Sequence, residues 1–344
     1  MGRKPNQPAA PQATSGRSVT IKDLAAELGL SITTISRALN NAPELSAETR
    51  ERVQRIAAEI GYVPDRTALR LKTGRTHVIG LVMDSHDEVL GFGHSMVSGL
   101  TSALRGTPYH LVIMPSLPNA ATVDPILYVL RNKAADGIIF SRTEHDDARV
   151  KLLLEADFPF VSHGRTELDT PHPYVDYDNF AFAYHAVQRL ASKGRKKVTI
   201  ILPPPGLTFG HHLRDGFMAA VSELGLACEI LPGATIDSSA EGMRLATMAQ
   251  LAAPGAPDGF ICTGDAAALS QMAGITDFGL TIGKDVDVVV KQTSGIFSQV
   301  RPRIDAIFED TMLAGRQLGE LLLRRIQGAP IADLQVLHQP EIWF

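Results

Sequence analysis

The chain has 344 residues, with 33 Lys and Arg, 37 Asp and Glu, and a formal net charge of −4, so it exceeds one ordinary domain and we expect two or three. Residues 1–75 contain 12 Lys and Arg against 7 Asp and Glu, a net charge of +5, which leaves 21 against 30, a net charge of −9, for the rest. The only cysteines, Cys228 and Cys262, lie in apolar sequence without CxxC or metal-ligand spacing, which excludes a disulfide-built scaffold and predicts buried thiols in a reducing compartment.

The N-terminal segment, residues 1–17, is rich in Pro, Ala, Gln and Ser and has no apolar signal core. This composition predicts a disordered tail. No apolar run in the chain reaches the roughly 18 residues that a membrane span needs. We therefore expect a soluble, cytoplasmic protein that does not bind membranes.

Residues 19–39 read as two short helices joined by a tight turn. Thr20 is placed to cap the first helix, and Asp23 follows three residues later as in a capping box. Gly29 is suited to end that helix, and Ser31 to cap the next one. The pattern predicts a helix-turn-helix domain over residues 18–63, and with it sequence-specific DNA binding.

The second of these helices has a mostly polar outer face, whereas Ile35 and Leu39 face inward. A third helix, from Ser46 to Gly61, covers the apolar side of the pair. Small hydroxyl and amide groups with one guanidinium suit phosphates and base edges. The polar face consists of Ser31, Thr33, Thr34, Ser36, Arg37 and Asn40.

Beyond residue 76, short β-rich runs alternate with amphipathic stretches. The alternation predicts parallel sheets covered by helices, divided into two similar halves near Thr166 to Pro173, with a ligand cleft at the carboxyl ends of the strands. The predicted strands are Val78–Met83, His110–Met114, Gly137–Phe140, Phe158–Ser162, Val198–Leu202, Cys228–Leu231, Gly259–Cys262 and Val286–Val290. The predicted helices are Phe92–Leu104, Asn179–Ala191, Leu213–Leu224 and Glu309–Arg325.

Two long strings, TIKDLAAELGLSITTISRALN from Thr20 and LSAETRERVQRIAAEIGYVPDRTALRLKTGRTHVIGL from Leu45, resemble the lactose repressor/galactose repressor (LacI/GalR) family of bacterial transcription factors. The resemblance implies an all-α helix-turn-helix head, a hinge helix and linker over residues 64–75, and a two-lobed α/β domain over residues 76–344. That last domain resembles type I periplasmic binding proteins. It is expected to bind an effector and to form a homodimer.

The family pattern assigns base reading to Ile32, Thr33 and Arg37, while the spacing of Ile32 to Ile35 and Leu39 fits a core position equally well. Ser31, Thr34 and Asn40 are expected to fix the helix on phosphates. In the hinge, Leu71 matches the apolar wedge that enters the minor groove. Leu71 could instead be an ordinary buried leucine, and Leu69 could fill the packing role.

Phe92, Ser141, Tyr177 and Asp265 match cleft positions of the family. The chain departs from the family pattern at two places: His211 lies just upstream of Leu213, which replaces a usual arginine, and Lys291 and Gln292 stand where many relatives have an aspartate. A stacking position at Tyr177 favours a sugar as effector, such as an oligosaccharide or α-glucoside. The expected effector contacts are Phe92, Ser141, Tyr177, His211, Asp265, Lys291 and Gln292.

Three classes of function fit such a chain. A ligand-responsive regulator, as a rule a repressor of a near-palindromic operator on double-stranded DNA, is favoured over a cytoplasmic solute-binding protein and over an enzyme using the same cleft. The effector could be an inducer, which weakens DNA binding, or a corepressor, which promotes it, because both would use the same domains. The sequence has no phosphate-binding GK[ST] loop, and its histidines lie at scattered spacings, so we expect no cofactor, metal site or catalytic residue.

Overall fold

The computed structural model describes residues 19–62, 70, 74–84, 89–116, 121–342 and 344. The chain separates into two compact units, Met1–Arg75 and Thr76–Phe344. The predicted tail and most of the predicted hinge, including Leu69 and Leu71, lie outside the described residues.

The first unit contains three helices, and each begins where the sequence places a cap. In the capping box of the first helix, the Thr20 amide donates to Asp23 at 2.8 Å, and Gly29 ends that helix with a left-handed backbone of φ 64°. Ser31 and Ser46 accept the capping hydrogen bonds of the second and third helices. The helices are α1 (Ile21–Leu28), α2 (Ile32–Leu39) and α3 (Ala47–Glu59).

A small apolar core holds the three helices together. Leu24 of α1, Ile35 and Ala38 of α2, and Val53 of α3 are all fully buried. Ile32, by contrast, is 44% exposed, so it is not part of this core. With so few buried side chains, the unit has little apolar area with which to offset the entropy of folding.

The second unit alternates strands and helices. Its strands are β1 (Val78–Asp84), β2 (His110–Ser116), β3 (Gly137–Phe140), β4 (Phe160–His163), β5 (Tyr174–Tyr177), β6 (Lys197–Ile200), β7 (Ala227–Ile230), β8 (Gly259–Cys262), β9 (Asp287–Gln292), β10 (Asp305–Phe308) and β11 (Gln335–His338). Its helices are α4 (Val89–Leu104), α5 (Asp124–Asn132), α6 (Ala148–Glu155), α7 (Asn179–Ser192), α8 (Thr208–Leu224), α9 (Ala240–Ala252), α10 (Asp265–Asp277) and α11 (Thr311–Ile326).

The strands form two parallel sheets, which define two lobes. The first sheet has the order β11-β5-β4-β3-β1-β2, and the second has the order β10-β9-β8-β6-β7. The predicted break near Thr166 to Pro173 is wrong, because β5 follows it and still pairs with β4 in the first sheet. The chain leaves the first lobe after Tyr177 and returns to it after β10. Sequence periodicity did not identify β5, β10 and β11, which have four residues each.

Helix α11 packs against α4 and so anchors the returning chain in the first lobe. A Cβ on Gly315 would lie 2.3 Å from the Met96 carbonyl oxygen, and one on Gly99 would lie 2.1 Å from the Met312 carbonyl oxygen. Glycine at both positions therefore allows the two backbones to meet. This packing fixes the place where β10 ends, at the boundary between the lobes.

Cys228 and Cys262 are not joined by a disulfide bond. Cys262 is buried as predicted, whereas Cys228 is only partly buried because it lies on β7, an edge strand. None of the helices in the described part of the chain combines the length and apolar character needed to cross a lipid bilayer.

Candidate functional site

The outer surface of α2 is the first candidate site. Ser31, Ile32, Thr33, Arg37 and Asn40 are all exposed. Ser31 caps the helix, so the side chains of its first turn stand beside the backbone amides of the helix N-terminus, which attract phosphate. The structure therefore presents small hydroxyls, one branched apolar side chain and one guanidinium on a single convex surface.

Local hydrogen bonds already use some of these side chains. The Ser31 hydroxyl accepts from the Thr34 amide at 3.1 Å and lies 2.8 Å from the Thr34 hydroxyl, which is half-buried. The Asn40 amide group donates to the Ser36 carbonyl at 2.6 Å, a bond within the helix end. Positioning of the helix by Ser31, Thr34 and Asn40 on phosphates stays a prediction, and these bonds show that the same groups also shape the helix.

Arg37 extends into solvent on this surface. Its Nε lies 3.6 Å from Glu44 Oε1, and the two side chains are 58% and 51% exposed. An exposed ion pair of this kind contributes only about 0–1 kcal/mol. Arg37 can therefore leave Glu44 for a stronger partner such as a guanine edge.

A cavity between the two lobes of the second unit is the second candidate site. It contains about 900 Å³ of space not occupied by atoms, including its opening to solvent. The lining residues are Met83, Phe92, Ser141, Arg142, Thr143, His163, Gly164, Asp176, Asn179, Phe209, Ile236, Thr263, Gly264, Lys291, Thr293 and Glu309.

Most of the polar lining residues stand at the carboxyl ends of parallel strands, as open α/β folds predict. Ser141 follows β3, His163 ends β4, Thr263 follows β8 and Glu309 follows β10. These ends converge because each sheet is parallel throughout. The strand ends of both lobes thus supply the polar groups, and Phe92 and Phe209 supply aromatic surface.

One buried ion pair lies in the cavity wall. Lys291 Nζ is 2.8 Å from Glu309 Oε2 and donates to Asn179 Oδ1 at 2.9 Å. Burial disfavours the charged carboxylate, but Lys291 beside it outweighs that effect and holds the pKa of Glu309 below its ordinary value. Burial lowers the pKa of His163, 3.6 Å from Glu309 Oε1, to about 4, so its ring is neutral at pH 7.

The other charged groups of the cavity are paired as well. Arg142 Nη1 donates to Asp237 Oδ1 at 3.1 Å, which joins the first lobe to the second. Arg165 Nη1 donates to Asp176 Oδ2 at 2.7 Å. Burial nevertheless raises the pKa of Asp176 to about 6, against the effect of Arg165. The wall thus offers hydrogen-bonding groups whose charges are compensated by protein partners.

The structure brings three of the seven sequence-predicted effector contacts into the wall, namely Phe92, Ser141 and Lys291. Tyr177 and Gln292 do not line the cavity. Side chains alternate along a strand, so Asp176 and Lys291 face the cavity while their neighbours Tyr177 and Gln292 point away from it.

Tyr177 is buried in the core of the second lobe, with Lys291 Nζ 5.4 Å from the centre of its ring. Its predicted stacking on a sugar therefore does not fit this geometry, and Phe92 and Phe209 are the aromatic side chains placed for that role. Asp265 does not line the cavity but contacts Thr293, which does. Its carboxylate accepts from the Thr293 amide at 3.1 Å and from the Thr293 hydroxyl at 3.2 Å, which holds that lining residue in place.

His211 also lies outside the cavity wall, on α8 beside His145. Sequence reasoning missed Arg142, His163, Asp176, Asn179 and Glu309. His163 and Glu309 could have been found from their position at the ends of apolar runs, since ligand-binding side chains collect there. Nothing in the sequence indicated that Asn179 lines a cavity, because asparagine is a common residue at the start of a helix.

Comparisons with known proteins find matches to both the N-terminal helices and the two-lobed unit. Residues 20–65 match the model of bacterial regulatory proteins of the lacI family, and residues 187–343 match a periplasmic binding protein-like domain. The regulator AglR of Rhizobium meliloti (strain 1021), described as an HTH-type transcriptional regulator, is 35% identical over 339 residues, 94% of this chain and 91% of that protein.

Two solved structures are similar over almost the whole chain. A lac repressor dimer bound to operator and the anti-inducer ONPF is 23% identical with a TM-score of 0.80, and the match covers 95% of this chain and 98% of the other. A complex of the transcriptional regulator CelR with cellobiose is 24% identical with a TM-score of 0.67, over 95% and 98% of the two chains.

Proposed function

The chain belongs to the lacI family of bacterial regulatory proteins, DNA-binding transcriptional regulators under ligand control, and we propose that it is a repressor whose ligand is an uncharged sugar. The sugar binds in the cavity between the lobes, against Phe92 and Phe209. The observation that carries this proposal is the charge pairing of the cavity wall, in which Lys291 contacts Glu309 and Arg142 contacts Asp237.

An anionic ligand such as a phosphate needs a cation that is not already neutralised by the protein. A neutral polyhydroxylated ligand needs donors and acceptors held in place, together with apolar faces for the CH faces of its rings. The wall provides the second set: buried Asn179 and partly buried His163, the hydroxyls of Ser141 and Thr263, and two phenyl rings. A solved regulator of this fold holds cellobiose, which is consistent with a sugar here.

A thermal-shift screen of the purified chain with neutral sugars, purines and carboxylic acids tests the ligand class. We expect α-glucosides or other oligosaccharides to raise the Tm, and Phe209→Ala to remove that shift. Phe278→Ala, at an exposed aromatic side chain at the end of α10, serves as the control and keeps it. Stabilisation by purines or acids alone overturns the sugar assignment.

The head reads a near-palindromic operator as a homodimer, because paired recognition helices are suited to two-fold symmetric sites. Arg37 contributes the guanine contact, Thr33 and Ile32 the contacts to neighbouring bases, and Leu71 the minor-groove wedge. The exposure of Ile32 supports its place among these contacts.

Ligand and operator are linked through the population of lobe arrangements that each favours. If the sugar is an inducer, it weakens operator binding by the same factor by which the operator weakens sugar binding. The cavity binds its ligand without chemical change. Operator titrations with and without the sugar identified by the screen test this linkage, and an unchanged Kd at saturating sugar contradicts it.

A further inference from the structure

Three side chains of metal-ligating type meet in the second unit away from the cavity wall. They are His145, Glu167 and His211, and one ligand atom from each lies within 4.8 Å of the other two. His145 Nε2 is 3.0 Å from Glu167 Oε2. The rings of His145 and His211 meet edge to face, with their centres 4.6 Å apart. None of the three residues lines the cavity described above.

The three side chains come from both lobes. His145 follows β3 and Glu167 follows β4, both in the first lobe, whereas His211 lies in the first turn of α8 in the second lobe. Their meeting is fixed by the backbone. The Thr208 amide donates to the Thr143 carbonyl at 2.9 Å across the lobe boundary, and the Glu167 amide donates to the His145 carbonyl at 3.2 Å.

The bond across the lobe boundary belongs to an isolated antiparallel bridge at Glu144 and Leu207, in which the His145 amide also donates to the Gly206 carbonyl at 3.4 Å. The paired backbone of residues 143–145 and 206–208 therefore holds His145 close to the start of α8, where His211 lies.

Two imidazoles and one carboxylate form a ligand set that zinc uses in proteins, with bonds of about 2.0–2.1 Å. Two ligand atoms on one tetrahedral zinc ion are then about 3.3 Å apart, close to the separation of His145 and Glu167. The side chains of His145 and Glu167 are 48% and 43% exposed, so they are able to rotate until their ligand atoms reach the separation that zinc needs. One coordination position stays open for water.

We propose that His145, Glu167 and His211 bind a divalent transition-metal ion, zinc above all, and that this ion clamps the two lobes together. An ion that needs ligands from both lobes binds the arrangement in which they are close and stabilises that arrangement by linkage. The metal thus acts as a second input to the second unit, separate from whatever occupies the cavity.

Zinc titration of the full chain without an affinity tag, in competition with a chromophoric chelator, tests the site. We expect one zinc ion per chain at micromolar free metal. His145→Gln and His211→Gln each remove a direct ligand, so each should weaken binding by more than the roughly 10- to 100-fold that loss of an outer-shell partner costs. His110→Gln, at an exposed histidine at the start of β2, is the matched control and keeps wild-type affinity. Equal binding by the wild type and the His211→Gln variant, or no binding by the wild type, overturns the site.

Hydrogen exchange tests the clamp separately. In the wild type, zinc should slow amide exchange in both residues 143–145 and 206–208, since the Thr208 amide bonds across the boundary. In His211→Gln, which should fold normally because the change is near the surface, zinc should have no such effect. Zinc binding without slower exchange at either segment contradicts the clamp.

Discussion

Lys291 and Glu309 form an ion pair of 2.8 Å in which both side chains are less than one-tenth exposed. Lys291 is the last residue but one of β9, and Glu309 directly follows β10, the neighbouring strand of the second sheet. Asn179, the first residue of α7, accepts a further hydrogen bond from the lysine. The pair therefore ties together two strand ends and one helix at the cavity.

Replacing Lys291 with Met should destabilise the second unit by about 3–5 kcal/mol, because it leaves the Glu309 carboxylate buried without its cation. Urea unfolding of the wild type and the variant measures the loss. Adding Glu309→Gln to Lys291→Met should recover part of it. If the double variant is less stable than Lys291→Met alone, the unpaired Glu309 carboxylate is not the cause of the lost stability.

The same variant gives a pH dependence with a defined sign. The pKa of Glu309 in the folded wild type lies below its ordinary value of 4.5, so its contribution to stability is present above that value and is lost as the pH falls through the folded pKa. The Lys291→Met variant lacks this contribution. The difference in free energy of unfolding between wild type and variant should therefore shrink as the pH is lowered from about 4.5 through the folded pKa of Glu309.

Asp176 should show the opposite trend. Its folded pKa of about 6 lies above the ordinary 3.8, so the protonated acid is favoured in the fold, and the stability it contributes is lost as the pH rises through 6. A difference of this size corresponds to roughly 3 kcal/mol between pH 3.8 and 6. The unfolding free energy of wild type relative to Asp176→Asn should fall by that order as the pH rises. Parallel pH profiles for the wild type and the variant would contradict the assignment.

Arg37→Ala should abolish operator selectivity while the first unit stays folded, since the side chain is exposed and contributes nothing to the core. Loss of one bidentate base contact costs about 1–3 kcal/mol of discrimination. Footprinting on a selected palindromic site measures it, with circular dichroism to check folding. Glu44→Gln, which removes only the ion-pair partner of Arg37, should keep the footprint. An unchanged footprint with Arg37→Ala contradicts the role given to this residue.

Gly315→Ala should destabilise the second unit by about 1–3 kcal/mol, because its Cβ would meet the Met96 carbonyl oxygen at 2.3 Å and force α11 away from α4. Gly295→Ala is the control, since its Cβ would meet nothing within 4 Å and its backbone φ is −82°. Thermal or urea unfolding compares the two. Equal stability of both variants would show that the helix pair relaxes without cost.

Local signals in the sequence were sufficient for the helical head. Thr20, Gly29 and Ser31 each act on backbone groups within four residues, so their effect does not depend on the rest of the chain. Alternating apolar runs likewise gave most of the sheet strands. The four-residue strands β5, β10 and β11 were missed because β10 and β11 are edge strands with partly exposed side chains and β5 carries a buried aspartate.

At the cavity, the sequence indicated some residues that line the wall and some that do not. It indicated Tyr177 on β5 and both Lys291 and Gln292 on β9, whereas the residues facing the cavity there are Asp176 and Lys291. A shift of one residue along a strand reverses the direction of the side chain, and only the packing of the sheet decides which direction is inward.

The sequence by itself determined the capped helices of the head, the basic character of residues 1–75 and the alternation of strands and helices beyond them, because each depends on neighbours along the chain. Only the tertiary structure decided that Lys291 meets Glu309 and that His145, Glu167 and His211 share one place. Those residues are separated by 18 to 66 positions. What brings them together is the packing of helices on two parallel sheets and the return of the chain between them, which no local spacing records.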